Sequence, residues 1–295
     1  MIKDDKKPAG LVPAWVQIPP PAIGAEIMKF LDFGFSFEES NVVIIGVKIG
    51  KNWKRALKKI RRESNFASTF DLDKKINMLE KIRPFDYGNV RVEELKETLM
   101  QIKKLRKIPV VISRAHLVSY FISKTFPEAY VVSFDAHSDC KDSYVDEKIE
   151  EIDYGYEFDS KLNDSTWFRR SWEEGRRGIL LGIRALDEDE YEFLIKNNVP
   201  FKTSKDIKNN RLARIRKKEI FFSLDIDVFD PSIAPSVDYP EPGGIMLEDF
   251  ERQLDMIKGR FCCINLACIK FSNENNVTEF LSTRALFSIF SKLNI

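Results

Sequence analysis

Residues 220–231 read IFFSLDIDVFDP. The first five form a short apolar run without polar alternation, the pattern of a strand covered on both faces. Two carboxylates two residues apart, Asp225 and Asp227, follow at once, and Asp230-Pro231 then marks a turn that shapes this loop. The same order, apolar run and then reactive side chains, recurs outward along the chain. YVVSF (130–134) runs into Asp135-Ala136-His137-Ser138-Asp139, and PVVIS (109–113) leads to His116. VVIIGV (42–47), GILLGI (178–183) and FCCINLACI (261–269) are further runs of this kind. Between them, Val92, Leu95, Leu99, Ile102 and Leu105 share one helical face, as do Leu247, Phe250, Leu254 and Ile257. Buried strands alternating with helices predict an α/β fold with a mostly parallel sheet covered on both sides, whose ligands sit beyond the carboxyl ends of the strands.

The chain has 295 residues, 43% hydrophobic and 32% charged, with 47 basic against 46 acidic side chains. That composition supports a large core and excludes both disorder and a global attraction to polyanions. Neither a repeat nor a low-complexity linker interrupts it. Residues 1–40, with Pro19, Pro20 and Pro21 in a row, are expected to be an irregular arm, and 41–295 a single domain. No apolar run reaches the roughly 20 residues of a membrane span, and no apolar signal core follows the amino terminus, so a cytoplasmic protein without a membrane partner is expected. The four cysteines form no CxxC pair and are expected to be mostly reduced, Cys140 as a small buried filler. KNWKRALKKIRR (51–62), with seven basic residues, and the basic stretch Lys205–Lys218 are expected to be solvated faces. With a net charge of +1 and no RNA or DNA module, nucleic acid is not an expected partner. Gly46 and Gly50 have neither the spacing nor the ending of a phosphate loop.

Residues i, i+2 and i+4 of an extended chain point to one side, so Asp135, His137 and Asp139 converge. Asp225 and Asp227 arrive from a second strand end and His116 from a third. Four carboxylates and both histidines of the protein therefore meet in one crevice. Such acids repel each other and raise their own pKa values unless cations compensate them, and two divalent ions would balance the charge. Carboxylate and imidazole without thiolate suit Mn²⁺, although Fe, Co, Ni or Zn would also accept them.

SFDAHSD (133–139), and SLDIDVFDPSIAP followed by PEPGG (223–244), resemble the signatures of the arginase/agmatinase/formimidoylglutamase (ureohydrolase) family. Fainter echoes lie at VVIIGV, at FDYGNV (85–90) and at GIRALDEDE (182–190). The resemblance implies a three-layer α/β/α sandwich, a homo-oligomer, and a centre of two divalent ions, Mn²⁺ foremost. The activity it implies is hydrolysis of a C–N bond in a small guanidino, formimino or related compound by a metal-activated hydroxide. By position, His116, Asp135, Asp139 and Asp225 would hold one ion and His137, Asp135, Asp225 and Asp227 the other. Asp139 would also act catalytically by orienting the hydroxide. Gly243 and Gly244 would serve backbone geometry and Asp230 would support the ligand loop.

The departures from that pattern bear on the substrate. Ser113-Arg114-Ala115-His116-Leu117 stands where the family has two glycines and an acid beside the first histidine, which removes a tight turn and an outer acid. Cys268 takes the place of the glutamate that grips a guanidinium, and a neutral thiol cannot form that pair. No third histidine exists, and Asp164 is the nearest positional equivalent of the one near the substrate. Asp187 matches a position near the substrate's amino end, or is a solvated loop acid. KNWKRALKKIRR replaces a Gly/Pro-rich loop, and Ser236–Tyr239 a Gly/Thr-rich one. The expected substrate is a small molecule other than arginine. A metal-binding but catalytically silent relative, acting as a subunit or scaffold, is the alternative. The complete ligand set argues against it, because such acids repel without metal.

Overall fold

A computed structural model describes residues 28–72, 75–145, 159–270, 272 and 275–293. The first 27 residues of the expected arm lie outside the described residues, and 28–40 contain turns but neither helix nor strand. In chain order the first elements are β1 (Val42–Val47), α1 (Trp53–Ser64), a ribbon of β2 (Phe70–Asp71) and β3 (Ile76–Asn77), and α2 (Met78–Lys81). β4 (Pro84–Val90), α3 (Val92–Lys104), β5 (Ile108–Ile112), α4 (Val118–Thr125) and β6 (Tyr130–Phe134) follow. After α5 (Trp167–Glu173) come β7 (Gly178–Ile183), α6 (Glu188–Lys196), β8 (Phe201–Thr203) and α7 (Ser204–Lys208). β9 (Ile215–Asp225), α8 (Leu247–Asp255), β10 (Ile257–Ala267) and α9 (Val277–Phe290) complete the chain.

Eight strands form one sheet in the order β4-β1-β5-β10-β9-β6-β7-β8, and every pairing in it is parallel. Alternate residues of each strand feed two cores. Ile44, Phe134, Phe222 and Leu224 pack with Leu57 and Ile60 of α1, Phe250 and Leu254 of α8, and Leu286 of α9. Val43, Ile45, Val131 and Phe221 pack with Leu95 and Leu99 of α3, Ile122 of α4 and Trp167 of α5. Each large side chain buried this way contributes about 1.5–3 kcal/mol. The three layers follow from strands with two apolar faces between helices with one.

β6 and β7 begin and end where the apolar runs do, whereas β9 starts five residues before its run, in the charged Ile215–Glu219. Ile257 opens β10 instead of ending the helical face of α8. The edge strands β4 and β8 were not legible as strands. β4 carries Pro84 as its first residue, where no ladder bond needs the missing N–H, and Gly88 with φ +95°. The basic stretch 51–62 needs a correction: Lys51, Lys54, Arg55, Lys58 and Arg62 are exposed, but Lys59 and Arg61 are buried. Arg61 donates through Nε to Asp86 (2.6 Å) and Lys59 lies 2.9 Å from Glu279, since a buried cation is tolerated only with an anion beside it. Lys205, Lys208, Arg211 and Arg214–Lys218, apart from Ile215, are exposed as expected. Among the described residues no helix is long and apolar enough to cross a membrane.

Candidate metal centre

The four central strands β5, β10, β9 and β6 end side by side, and the loops beyond their carboxyl ends carry the predicted ligands. One oxygen of each of three carboxylates builds the loops. Asp225 Oδ1 accepts from the Asp227 amide (2.9 Å), Asp227 Oδ1 from the Ala136 amide (3.0 Å) and Asp135 Oδ1 from the His137 amide (2.7 Å). The other oxygens face inward. His116 Nδ1 has Asp139 Oδ2 at 2.9 Å, Asp135 Oδ2 at 3.1 Å and Asp225 Oδ2 at 3.2 Å. His137 Nδ1 has Asp227 Oδ2 at 2.9 Å and Asp135 Oδ1 at 3.6 Å. Asp135 therefore turns one oxygen to each imidazole. Asp139 is held in place by Trp167, whose Nε1 donates to Oδ2 (2.6 Å). Its backbone takes the left-handed φ of +51°, strained for a non-glycine residue, while its carbonyl accepts from the Phe168 and Arg169 amides of α5.

The outer partner of His116 is a hydroxyl, not the acid whose absence the sequence signals. His116 Nε2 lies 2.9 Å from Ser223 Oγ, which lies 2.8 Å from Ser119 Oγ, and Asn265 donates to Ser119 (2.8 Å). This chain of groups fixes the ring and leaves Nδ1 at the focus of three carboxylates, buried and without a hydrogen bond of acceptable geometry. An orphaned buried nitrogen in that position fits a cation between it and the oxygens. The electrostatics agree. Burial, with the charge of Asp135, pushes Asp139 up to about 7. Burial and Asp227 push Asp225 up to about 6, and burial with Asp227 and Asp225 raises Asp135. Burial opposes protonation of His137, yet hydrogen bonds to Asp135 and Asp227 carry it up to about 12. Burial would raise Asp227, but the His137 partner holds it below the usual carboxylate range.

The sequence model of the arginase family matches residues 40–291. The chain belongs to the arginase family. It is 29% identical over 180 residues to an uncharacterised 32.2 kDa protein of Methanothermus fervidus, covering 58% of each chain. To an N(1)-aminopropylagmatine ureohydrolase of Thermococcus kodakarensis it is 25% identical over 239 residues, 76% of each chain. The agmatine ureohydrolase structure of Thermoplasma volcanium superposes with a TM-score of 0.73 at 22% identity, covering 91% of this chain and 94% of that one. Trypanosoma cruzi formiminoglutamase, solved with Mn²⁺, gives 0.71 at 14% identity over 88% and 95%. The last two likenesses are of fold.

In this arginase-family chain the centre forms the floor of a cavity of about 320 Å³. Cys268, Asp164 and Asp187 all line it. Cys268 directly follows β10, has a left-handed φ of +60° and donates its thiol to Asp225, and burial holds that thiol well above its usual pKa. Asp164 is half-buried, pushed up to about 6 by desolvation, and accepts from the Leu117 amide (2.8 Å). Asp187 sits at the rim as an exposed cap of α6, paired with Lys141. Asp230 receives the Gly243 amide (3.0 Å), and a Cβ on Gly244 would lie 2.4 Å from the Asp230 nitrogen, so these residues do serve backbone geometry.

Several supporting residues escaped the sequence reading. Buried Glu190 accepts from the Ser138 hydroxyl and the Cys140 amide (3.2 Å), pinning the ligand loop to α6. The spacing Asp187-x-x-Glu190 is a capping box and could have signalled it. Arg184 donates to the carbonyls of Asp227 (2.6 Å), Val228 (3.1 Å), Phe229 (3.3 Å) and Glu241 (2.9 Å). Glu241 Oε1 is 3.9 Å from His137 Nε2 at the open side of the centre. Arg114 pairs with Asp238 on the cavity wall.

Proposed function

We propose that this chain is a metal-dependent hydrolase that cleaves a C–N bond of a small guanidino, formimino or related compound. The observation that carries this reading is His116 Nδ1, buried, without a hydrogen bond and faced by three carboxylate oxygens within 3.2 Å. In this reading His116, Asp135, Asp139 and Asp225 would hold one divalent ion, and His137, Asp135, Asp225 and Asp227 would hold the other. Mn²⁺ suits the carboxylate-rich set. Two bound ions generate a nucleophile at neutral pH and stabilise charge on the group under attack.

The protein's own work is orientation. Trp167 holds one oxygen of Asp139, and the Ser223 hydroxyl holds His116 at Nε2 so that Nδ1 faces the carboxylates. The wall around the centre is suited to a substrate other than arginine. It offers a neutral thiol at Cys268, which gives a guanidinium no anionic partner there, and its Arg114 cation pairs with Asp238. The same reading makes the chain a cytoplasmic homo-oligomer with residues 41–295 as one domain.

Metal analysis, followed by a screen for urea, ammonia or formamide release from guanidino and formimino compounds, tests it. The expected outcome is two ions per chain and turnover of at least one compound, reduced about 10²–10⁴-fold by Asp139→Asn. Two bound ions with no turnover of any compound would favour the silent scaffold instead.

A further inference from the structure

We propose, on the footing of that metal-centre reading, that Cys268 is itself a ligand. Its sulfur binds the ion held by His116, and this half of the centre thereby prefers a softer divalent cation than the half held by His137. β10 lies between β5 and β9, so the residue after its end falls between the loops that deliver His116 and Asp225. Ligand atoms of His116, Asp225 and Cys268 all lie within 4.8 Å of one another. Sulfur would be a fifth protein ligand of that ion, and neighbouring ligands at bond lengths of about 2.0–2.3 Å stand roughly 3–3.5 Å apart, so a small inward shift brings the sulfur into range.

A second observation is independent of the sulfur. His116 Nδ1, in the same trio, is buried without a hydrogen bond although three carboxylate oxygens lie within 3.2 Å of it. A third concerns the backbone. Cys268 adopts φ +60°, a left-handed conformation that a non-glycine residue keeps only where its surroundings impose it. The turn brings the thiol to the cavity and to Asp225. Cys140, Cys262 and Cys263 are buried, whereas Cys268 is half-buried at the cavity wall with its thiol donated to Asp225. As the sulfur–metal bond forms, the thiol proton leaves to solvent and no oxidation state changes. Thiolate favours Zn²⁺, Co²⁺ or Fe²⁺ over Mn²⁺.

The test uses the full chain, stripped of metal and reloaded with Co²⁺, with bound cobalt counted by elemental analysis. The expected result is a near-ultraviolet sulfur-to-cobalt charge-transfer band that is lost in both Cys268→Ser and Cys268→Ala. Competition should also show the preference for Zn²⁺ over Mn²⁺ falling at least about tenfold in Cys268→Ser, the smaller end of what losing even an outer partner causes. Thiol labelling of the unmutated protein answers without any variant: one thiol reacts in the stripped protein and is protected by cobalt. Two bound cobalt ions with no such band and unchanged labelling would overturn the sulfur ligand and leave the hydrolase reading standing. A band that survives both substitutions would do the same. No bound cobalt at all would overturn both.

Discussion

Two clusters of buried charge in this molecule are built on opposite plans. Under α1, Arg61 donates to both oxygens of Asp86 (2.6 and 3.0 Å), to Asn89 (2.7 Å) and to the Gly88 carbonyl (3.1 Å). Asp86 also accepts from the amides of Phe30 (2.7 Å) and Gly88 (2.8 Å). One cation meets one anion, and their hydrogen bonds are made within the chain. At the carboxyl ends of β6 and β9, four carboxylates face two imidazoles, and even with both rings charged two negative charges are in excess. Burial of charge is common to both places; imbalance belongs to one. The lesson is that an unbalanced buried cluster, and not burial itself, points to a cation from outside.

The contrast can be broken at either end. The largest effect is expected at the balanced end, where Arg61→Ala leaves Asp86 buried and unpaired. Urea unfolding should show a loss of about 3–5 kcal/mol, the same with and without metal. A loss under about 1 kcal/mol would mean that the pair is not closed in the way described. Next comes removal of metal. With ions at a hundred times their dissociation constant, binding stabilises by about 2.7 kcal/mol, so chelation should lower the melting temperature of the metal-loaded protein, while Asp225→Asn should show no metal dependence. Identical melting curves with and without chelator, in a sample known to contain metal, would remove the centre's share in stability.

The smallest effect per step is with pH. Asp139 and Asp225, up at about 7 and 6 in the metal-free protein, bind protons that an ion must displace. Raised carboxyl pKa values make protons the competitor on the acid side, and His137, carried up to about 12, holds one more, so affinity should still rise above pH 7 and fall more steeply as pH drops through 7 and then 6. Each displaced proton costs about 1.4 kcal/mol per pH unit below its pKa. Mn²⁺ titrations across that range check this, and a flat profile would exclude these two acids as ligands.

Much of the centre was legible because strand tips are local. YVVSF followed by Asp135-Ala136-His137-Ser138-Asp139 gives both the strand and the side on which its ligands stand, and β6 ends at Phe134 as that reading requires. What the sequence hides is whatever depends on a distant partner. Ser223 is one hydroxyl in an apolar run until His116 appears 2.9 Å away across the sheet. Arg61 reads as one more cation in a basic stretch until β4 brings Asp86 beside it. β4 itself is masked by Pro84, Asp86, Gly88 and Asn89, tolerated because it is an edge strand. β8, three residues long, gives too little pattern to recognise.

Arg184 has a mechanical consequence. Its single guanidinium is bonded to carbonyls on both sides of the residue 230–240 excursion, at Asp227, Val228 and Phe229 before it and at Glu241 after it. The two arms of that excursion are thereby riveted at their base. The outer part of the excursion is fastened separately, Ser236 by the Thr278 hydroxyl (2.9 Å) and Asp238 by Arg114 and Lys270, so this wall of the cavity is clamped at its root and again at its crest.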